Sequence, residues 1–220
     1  MNRPVVLITG VGRVVGIGAG IARKLVSDGW DIAICHWPKY DERKPWGVQA
    51  TDVDDLLSEL MKISPASRVS DHIGDFEDAA TVRGLMQEVE RVHGQISALV
   101  LTHCESLASS FLDTSLESFE RHFAVNTRAN WQLMREFALQ APAQGGRIVA
   151  LTSDHVVGNV PYGASKGALD RLVLAAAREF GDRQITANII NPGPIDTGWM
   201  DEQTRETCLS RQPTGRLGTP

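Results

Sequence analysis

Val5-Val6-Leu7-Ile8-Thr9-Gly10-Val11-Gly12-Arg13-Val14-Val15-Gly16-Ile17-Gly18 reads as a strand, a glycine-rich turn and the start of a helix. Four apolar residues in a row, stopped by Thr9-Gly10, fit a strand covered on both faces. From Gly16 to Asp28, Ile17, Ile21 and Leu25 recur on one helical stripe. Glycines let the backbone turn sharply and approach a ligand closely. The helix start offers unpaired N–H groups to a phosphate. A glycine turn between a strand and a helix is the context expected of a dinucleotide site. Thr9, Gly10, Gly12, Arg13, Gly16, Ile17 and Gly18 are therefore candidate cofactor-binding residues. No Gly-Lys-Ser/Thr follows, which argues against a nucleotide-hydrolysing P-loop.

Working outward, short apolar runs alternate with helical patterns to the end of the chain. Strands are predicted at Asp31–Cys35, Arg68–Ile73, Ile96–Leu101, Arg147–Leu151 and Ile185–Ile190. Helices are predicted at Val53–Met61, Ala79–His93, Ser115–Phe137 (with a possible bend) and Ala164–Phe180. His36–Thr51, aromatic, charged and carrying Pro38 and Pro45, reads as an irregular surface loop. The alternation predicts an α/β fold: a doubly wound, mostly parallel sheet in a Rossmann-type three-layer α/β/α sandwich. Residues 1–220 are expected to form a single dinucleotide-binding and catalytic domain.

Bulk properties narrow the function. The chain has 220 residues, 42% of them hydrophobic and 22% charged, with formal net charge -5. No Lys/Arg block appears, which argues against nucleic acid or an anionic membrane as partner. The apolar stretch at the N-terminus is too short for a membrane span or a secretory signal. Cys35, Cys104 and Cys208 are far apart with no CxxC, so neither a disulfide framework nor a metal site is expected, and a reducing cytoplasm fits best.

The chemistry is expected in Tyr162-Gly163-Ala164-Ser165-Lys166. A tyrosine and a lysine four positions apart share a helix face. A nearby ammonium favours the phenolate, so the pair is a candidate acid–base group. Just upstream, the strand ending at Leu151 runs into Thr152 and Ser153. Cofactor choice is read at the tip of the second strand, where a carboxylate would hold a ribose diol. Here Ile34-Cys35-His36-Trp37-Pro38-Lys39 carries none, and Arg13 and Lys39 offer charge to a 2′-phosphate. The reading favours NADP, with NAD as the alternative through Asp41 or Glu42 if the loop folds back. Asp75 is either an acceptor for the adenine amine or a helix cap. Trp37, Tyr40 and Trp46 either line an adenine or substrate edge or close a surface loop. His103 and Cys104, read as strand neighbours on opposite faces, are not expected to form a Cys–His or metal site.

Together these residues resemble the short-chain dehydrogenase/reductase family, nearest in flavour to its 3-oxoacyl-acyl-carrier-protein reductase branch. The resemblance rests on the Thr-Gly…Gly-Ile-Gly turn, Asn126 in Val125-Asn126-Thr127, Ser153, Tyr162…Lys166 and Asn191-Pro192-Gly193-Pro194-Ile195-Asp196-Thr197. It implies that Tyr162 gives or takes the proton of a carbonyl or alcohol substrate. Lys166 would hold the nicotinamide ribose and lower the tyrosine pKa, and Ser153 would orient the substrate oxygen. Asn126 would support a proton relay to the lysine. Pro192, Gly193, Ile195 and Thr197 would flank the nicotinamide and phosphates, with Trp199 and Met200 in a mobile substrate lid. It also implies a homodimer or homotetramer through helices 115–137 and 164–180.

Four departures qualify the match. The glycine turn has five residues between Gly10 and Gly16, where the family usually has three. The family's Asn-Asn-Ala-Gly is Leu101-Thr102-His103-Cys104 here, which either weakens cofactor binding or is compensated locally. Ser153 precedes Tyr162 by nine positions rather than thirteen, leaving Thr152 as a weaker substitute. The chain ends at Pro220, short of the family's final helix and strand. Two alternatives stay open: a catalytically weak dinucleotide-binding or regulatory protein, and a dehydratase or epimerase on the same scaffold.

Overall fold

The computed structural model describes residues 3–49 and 51–220. Six parallel strands form one sheet: β1 (Val5–Thr9), β2 (Asp31–His36), β3 (Val69–Ile73), β4 (Ala98–Leu101), β5 (Gly146–Leu151) and β6 (Ile185–Ile190). Their spatial order is β3-β2-β1-β4-β5-β6. The chain winds outward from β1 through β3, returns, and winds the other way from β4. That reversal opens a crevice beyond the ends of β1 and β4, where an open α/β sheet binds its ligand.

Alternation along each strand builds two cores. Val6, Ile8, Ile32, Ile34, Ala98 and Val100 pack against α1 (Ile17–Ser27) and against Leu56 and Leu60 of α3 (Asp52–Ile63). The other face, with Leu7, Ala33, Leu99, Leu101 and Ile148, packs on α4 (Thr81–His93), α6 (Asn130–Gln140) and α7 (Val160–Glu179). The expected three-layer α/β/α sandwich follows from this partition. Burial of these strands on both faces is why they read as continuous apolar runs.

Two elements differ from the sequence expectation. The predicted 115–137 helix is α5 (Leu116–Phe123), a π-helical segment Ala124–Ala129, and α6. The expected bend is thus a local widening of the helix, of the kind found at functional sites. The segment expected to be a surface loop contains a short helix, α2 (Pro38–Glu42), and Trp37, Tyr40, Asp41, Arg43 and Trp46 line the central cleft. A last helix, α8 (Glu202–Ser210), begins at Asp201, whose side chain accepts from the Thr204 N–H. Among the described residues, no helix is long and apolar enough to cross a membrane.

Candidate active site

A cleft of about 1010 Å³ starts at Gly10, Gly12, Arg13, Gly16, Ile17 and Gly18 and ends among Ser153, Tyr162, Pro192 and Trp199. The glycine turn is built for close approach. Gly10 sits at φ +79, and a Cβ there would lie 2.5 Å from the His103 nitrogen. A Cβ on Gly18 would meet Val11 at 2.9 Å and Thr102 Oγ1 at 3.1 Å, which lets α1 lie tightly on the sheet. The N-terminus of α1 has no side-chain cap and no acidic residue in its first turn. Its leading N–H groups are left for an anion. These features suit a dinucleotide pyrophosphate, and the two extra residues of the turn do not disturb them.

Arg13 crosses the cleft mouth. Its guanidinium donates to the Thr197 carbonyl at 3.1 Å and stacks 4.5 Å from the Trp46 ring centroid. Its Nε lies 3.9 Å from Asp41. Asp41 accepts from Trp46 Nε1 at 2.7 Å and stands against Gly12. The loop has therefore folded one of its two carboxylates back toward the glycine turn. Lys39 instead lies over the Trp37 ring, 5.5 Å from its centroid. Asp75 accepts from the Glu77 N–H and lines the cleft. It caps that turn rather than α4, whose N-cap is Ala80.

Tyr162 lines the cleft from the first turn of α7, and Lys166, one turn further on, has its ammonium 5.8 Å from the phenol ring centroid. Lys166 is 2% exposed and donates to the Leu151 carbonyl at 2.8 Å. Burial lowers its pKa, offset by Cys104 and Asp170. Burial raises the Tyr162 pKa, as does Cys104, while the nearby Ser153 hydroxyl lowers it. Ser153 lines the same cleft as the phenol, and its Oγ accepts from the His155 N–H at 3.1 Å. The lowering expected from Lys166 does not contribute to this shift, and burial decides its direction. Thr152 is no substitute for Ser153, because its hydroxyl donates to Asp170 at 2.5 Å.

Asn126, fully buried in the π segment, uses its whole amide. Its oxygen accepts from the Glu105 N–H at 2.7 Å, and its nitrogen donates to the Glu105 carbonyl and Ser165 Oγ, both at 2.9 Å. Ser165 Oγ donates to the Tyr162 carbonyl at 2.9 Å. Asn126 therefore ties the loop after β4 to the tyrosine-bearing turn. Its own backbone carbonyl accepts from Asn130 Nδ2, so it is engaged within the helix. Pro192, Gly193, Ile195 and Thr197 line the facing wall.

His103 and Cys104 lie beyond the end of β4 at Leu101, so strand alternation does not govern them. His103 Nε2–H donates to the Val125 carbonyl at 3.2 Å, leaving Nδ1 to accept from Thr9 Oγ1 at 2.7 Å. Thr102 Oγ1 donates to the Thr9 carbonyl at 2.6 Å. These bonds bridge β1, the loop after β4 and the π segment. Cys104 lines the cleft. Among the described residues, no group of three or more His, Cys, Asp or Glu is placed to hold a metal ion.

Burial lowers the His103 pKa to about 3, helped by Lys166 and opposed by the Val125 bond. Unfolded histidine titrates near 6.5. Between these values the unfolded chain binds a proton that the folded chain refuses, so stability falls as pH falls. The loss is about 1.4 kcal/mol per pH unit from this residue alone. Depressed values at His72, His93 and His122 add to the upper part of the window. Urea unfolding midpoints are expected to drop steadily from pH 7 to pH 5, with a shallower slope in His103→Gln.

The comparisons with known proteins agree with this architecture. The model of the family described as enoyl-(acyl carrier protein) reductase matches residues 10–220. Human L-xylulose reductase is 32% identical, over 96% of this chain and 82% of its own length. A dehydrogenase/reductase from Sinorhizobium meliloti 1021 superposes with a TM-score of 0.86 at 27% identity, covering 100% of this chain and 84% of that one. A blue fluorescent protein from a metagenomic library, solved in complex with NADPH, gives a TM-score of 0.84 at 29% identity, covering 99% and 85%. With the parallel sheet, the glycine turn and the Tyr162–Lys166 pair in place, the chain belongs to the short-chain dehydrogenase/reductase family of NAD(P)(H)-dependent oxidoreductases.

Proposed function

We propose that this chain exchanges a hydride between NADP(H) and a small carbonyl compound or secondary alcohol, with Tyr162 giving or taking the proton. The observation that carries the reading is one cleft running from the glycine turn to the Tyr162 phenol, with Ser153 on its lining and Lys166 5.8 Å from the ring centroid. The nicotinamide supplies the hydride; the protein's part is orientation and a proton path. Ser153 Oγ and Tyr162 Oη would both hydrogen-bond the substrate oxygen. During reduction, Tyr162, which its raised pKa keeps as the neutral phenol, would protonate the developing alkoxide. Lys166, buried beside the ring, would then stabilise the tyrosinate. Asn126 would act as a positioning residue, holding the 105 loop and the Tyr162 turn in register.

Gly10, Gly12, Gly16, Ile17 and Gly18 would cradle the pyrophosphate, with Thr9 bracing the turn through His103. Pro192, Gly193, Ile195 and Thr197 would close the opposite side, and Trp37 and Asp75 would border the adenosine end. Arg13 supports NADP(H), since it is the cation of the glycine turn that faces the cleft. NADPH is expected to quench protein fluorescence at lower concentration than NADH, and one of a panel of carbonyl compounds to be reduced. Tighter binding of NADH would reverse the cofactor choice and make Asp41 the ribose acceptor. Dinucleotide binding with no turnover of any carbonyl or alcohol would overturn the oxidoreductase reading.

The exposed Leu112, Leu116, Trp131 and Leu174 on and beside α5–α7 support a homodimer or homotetramer through those helices. Three free cysteines support a cytoplasmic location.

A further inference from the structure

Residues Trp37–Gln49 belong to neither apolar core. They are held by charged and aromatic contacts at two places. At one, Asp41 and Trp46 grip Arg13 beside Gly12. At the other, Arg43 Nη2 donates to Glu105 Oε2 at 2.8 Å, and Lys44 donates to the Ser106 carbonyl. Glu105 is buried and its backbone is bracketed by Asn126, which is joined to the Tyr162 turn through Ser165. The segment thus follows the cleft from its phosphate end to its reacting end. Just before these fastenings Tyr40 is half-buried, lines the cleft, and lies within the electrostatic reach of Cys104 and Tyr162.

The closed segment still leaves a cavity of about 1010 Å³, room for a ligand of dinucleotide size. It therefore flanks the cleft rather than plugging it. A segment fastened by polar contacts without core packing opens at low cost compared with the sheet. We propose that residues 37–49 are a clamp that retains the bound dinucleotide, and that the Arg43–Glu105 pair is its latch. Arg43 and Glu105 act as positioning residues that set how fast the cofactor leaves. This inference rests on the dinucleotide reading above.

The test is stopped-flow displacement of bound NADPH, followed by fluorescence, on the full chain carrying Arg43→Gln, Glu105→Gln, both together, or Arg43→Lys. Losing a charge-assisted bond between the clamp and the 105 loop is expected to raise the off-rate roughly five- to thirty-fold in each single variant. The double variant is expected to be no faster than either single one, because both remove the same bond. Arg43→Lys, which keeps the charge, is expected to retain the cofactor better than Arg43→Gln. Where release limits turnover, kcat rises in the latch variants while kcat/KM does not, a split that general loosening of the fold does not produce. Unchanged off-rates in the single variants, or additive effects in the double, would overturn the clamp while leaving the oxidoreductase reading intact. A wild-type chain that binds neither NADPH nor NADH would overturn both.

Discussion

Tyr162→Phe is expected to lower kcat about 10²- to 10⁴-fold, the range of a positioned general acid or base. In the proposed mechanism the phenol, which lines the cleft with Ser153, is the group that meets the substrate oxygen. Phenylalanine keeps the ring that fills the start of α7 and removes only the hydroxyl, so packing survives. Lys166 still bonds the Leu151 carbonyl, and the glycine turn is untouched. NADPH affinity is therefore expected to stay within about threefold of wild type, a margin below 1 kcal/mol. Steady-state kinetics and a fluorescence titration on the same preparation separate the two effects. Wild-type turnover in Tyr162→Phe would remove the phenol from the mechanism. Equal losses of turnover and cofactor affinity would point instead to a collapsed site.

What was legible in the sequence had a local cause. The strands were readable because burial on both faces leaves nearly uninterrupted apolar runs, as in Val5–Ile8. The Tyr162–Lys166 face was readable because helical spacing alone puts the two on one side. What was not legible depends on partners far away in the chain. The 37–49 segment has the composition of an exposed loop, and its fastening at Glu105 lies 62 positions beyond Arg43. Thr152 and Ser153 look equivalent at the end of β5, and only Asp170 on α7 distinguishes them. The π segment at Asn126 leaves no mark in apolar periodicity. It accompanies an amide whose three partners come from Glu105 and Ser165. The bridging bonds of His103 are not legible for a different reason: it lies beyond the end of β4, where strand alternation no longer fixes which way a side chain points.

Gly10→Ala is expected to be the most damaging small substitution in the cleft. Its backbone lies at φ +79, a conformation that costs a residue with a Cβ about 1–2 kcal/mol. The added methyl would also stand 2.5 Å from the His103 nitrogen, 2.6 Å from its Cα and 2.8 Å from the Thr102 carbonyl carbon. All three are backbone atoms of the loop held by the Thr9–His103 bond, so no side chain can swing away to relieve the overlap. Overlap and backbone strain together place the loss at about 4 kcal/mol or more, the exceptional end of single-residue effects. The neighbouring Gly12→Ala provides the control. Its φ lies outside the left-handed region, and the one overlap of its methyl would be with Asp41 Oδ2, at 2.7 Å, the far end of a side chain that can rotate. Gly12→Ala is therefore expected to unfold within about 1 kcal/mol of wild type. Moving Asp41 would still disturb Arg13 and Trp46, so its NADPH affinity is expected to fall while its melting temperature holds. Chemical unfolding of the two variants side by side decides the matter. Equal stability for Gly10→Ala and Gly12→Ala would mean that the turn tolerates a Cβ at Gly10, and that close approach to the 102–103 backbone is not what requires glycine there.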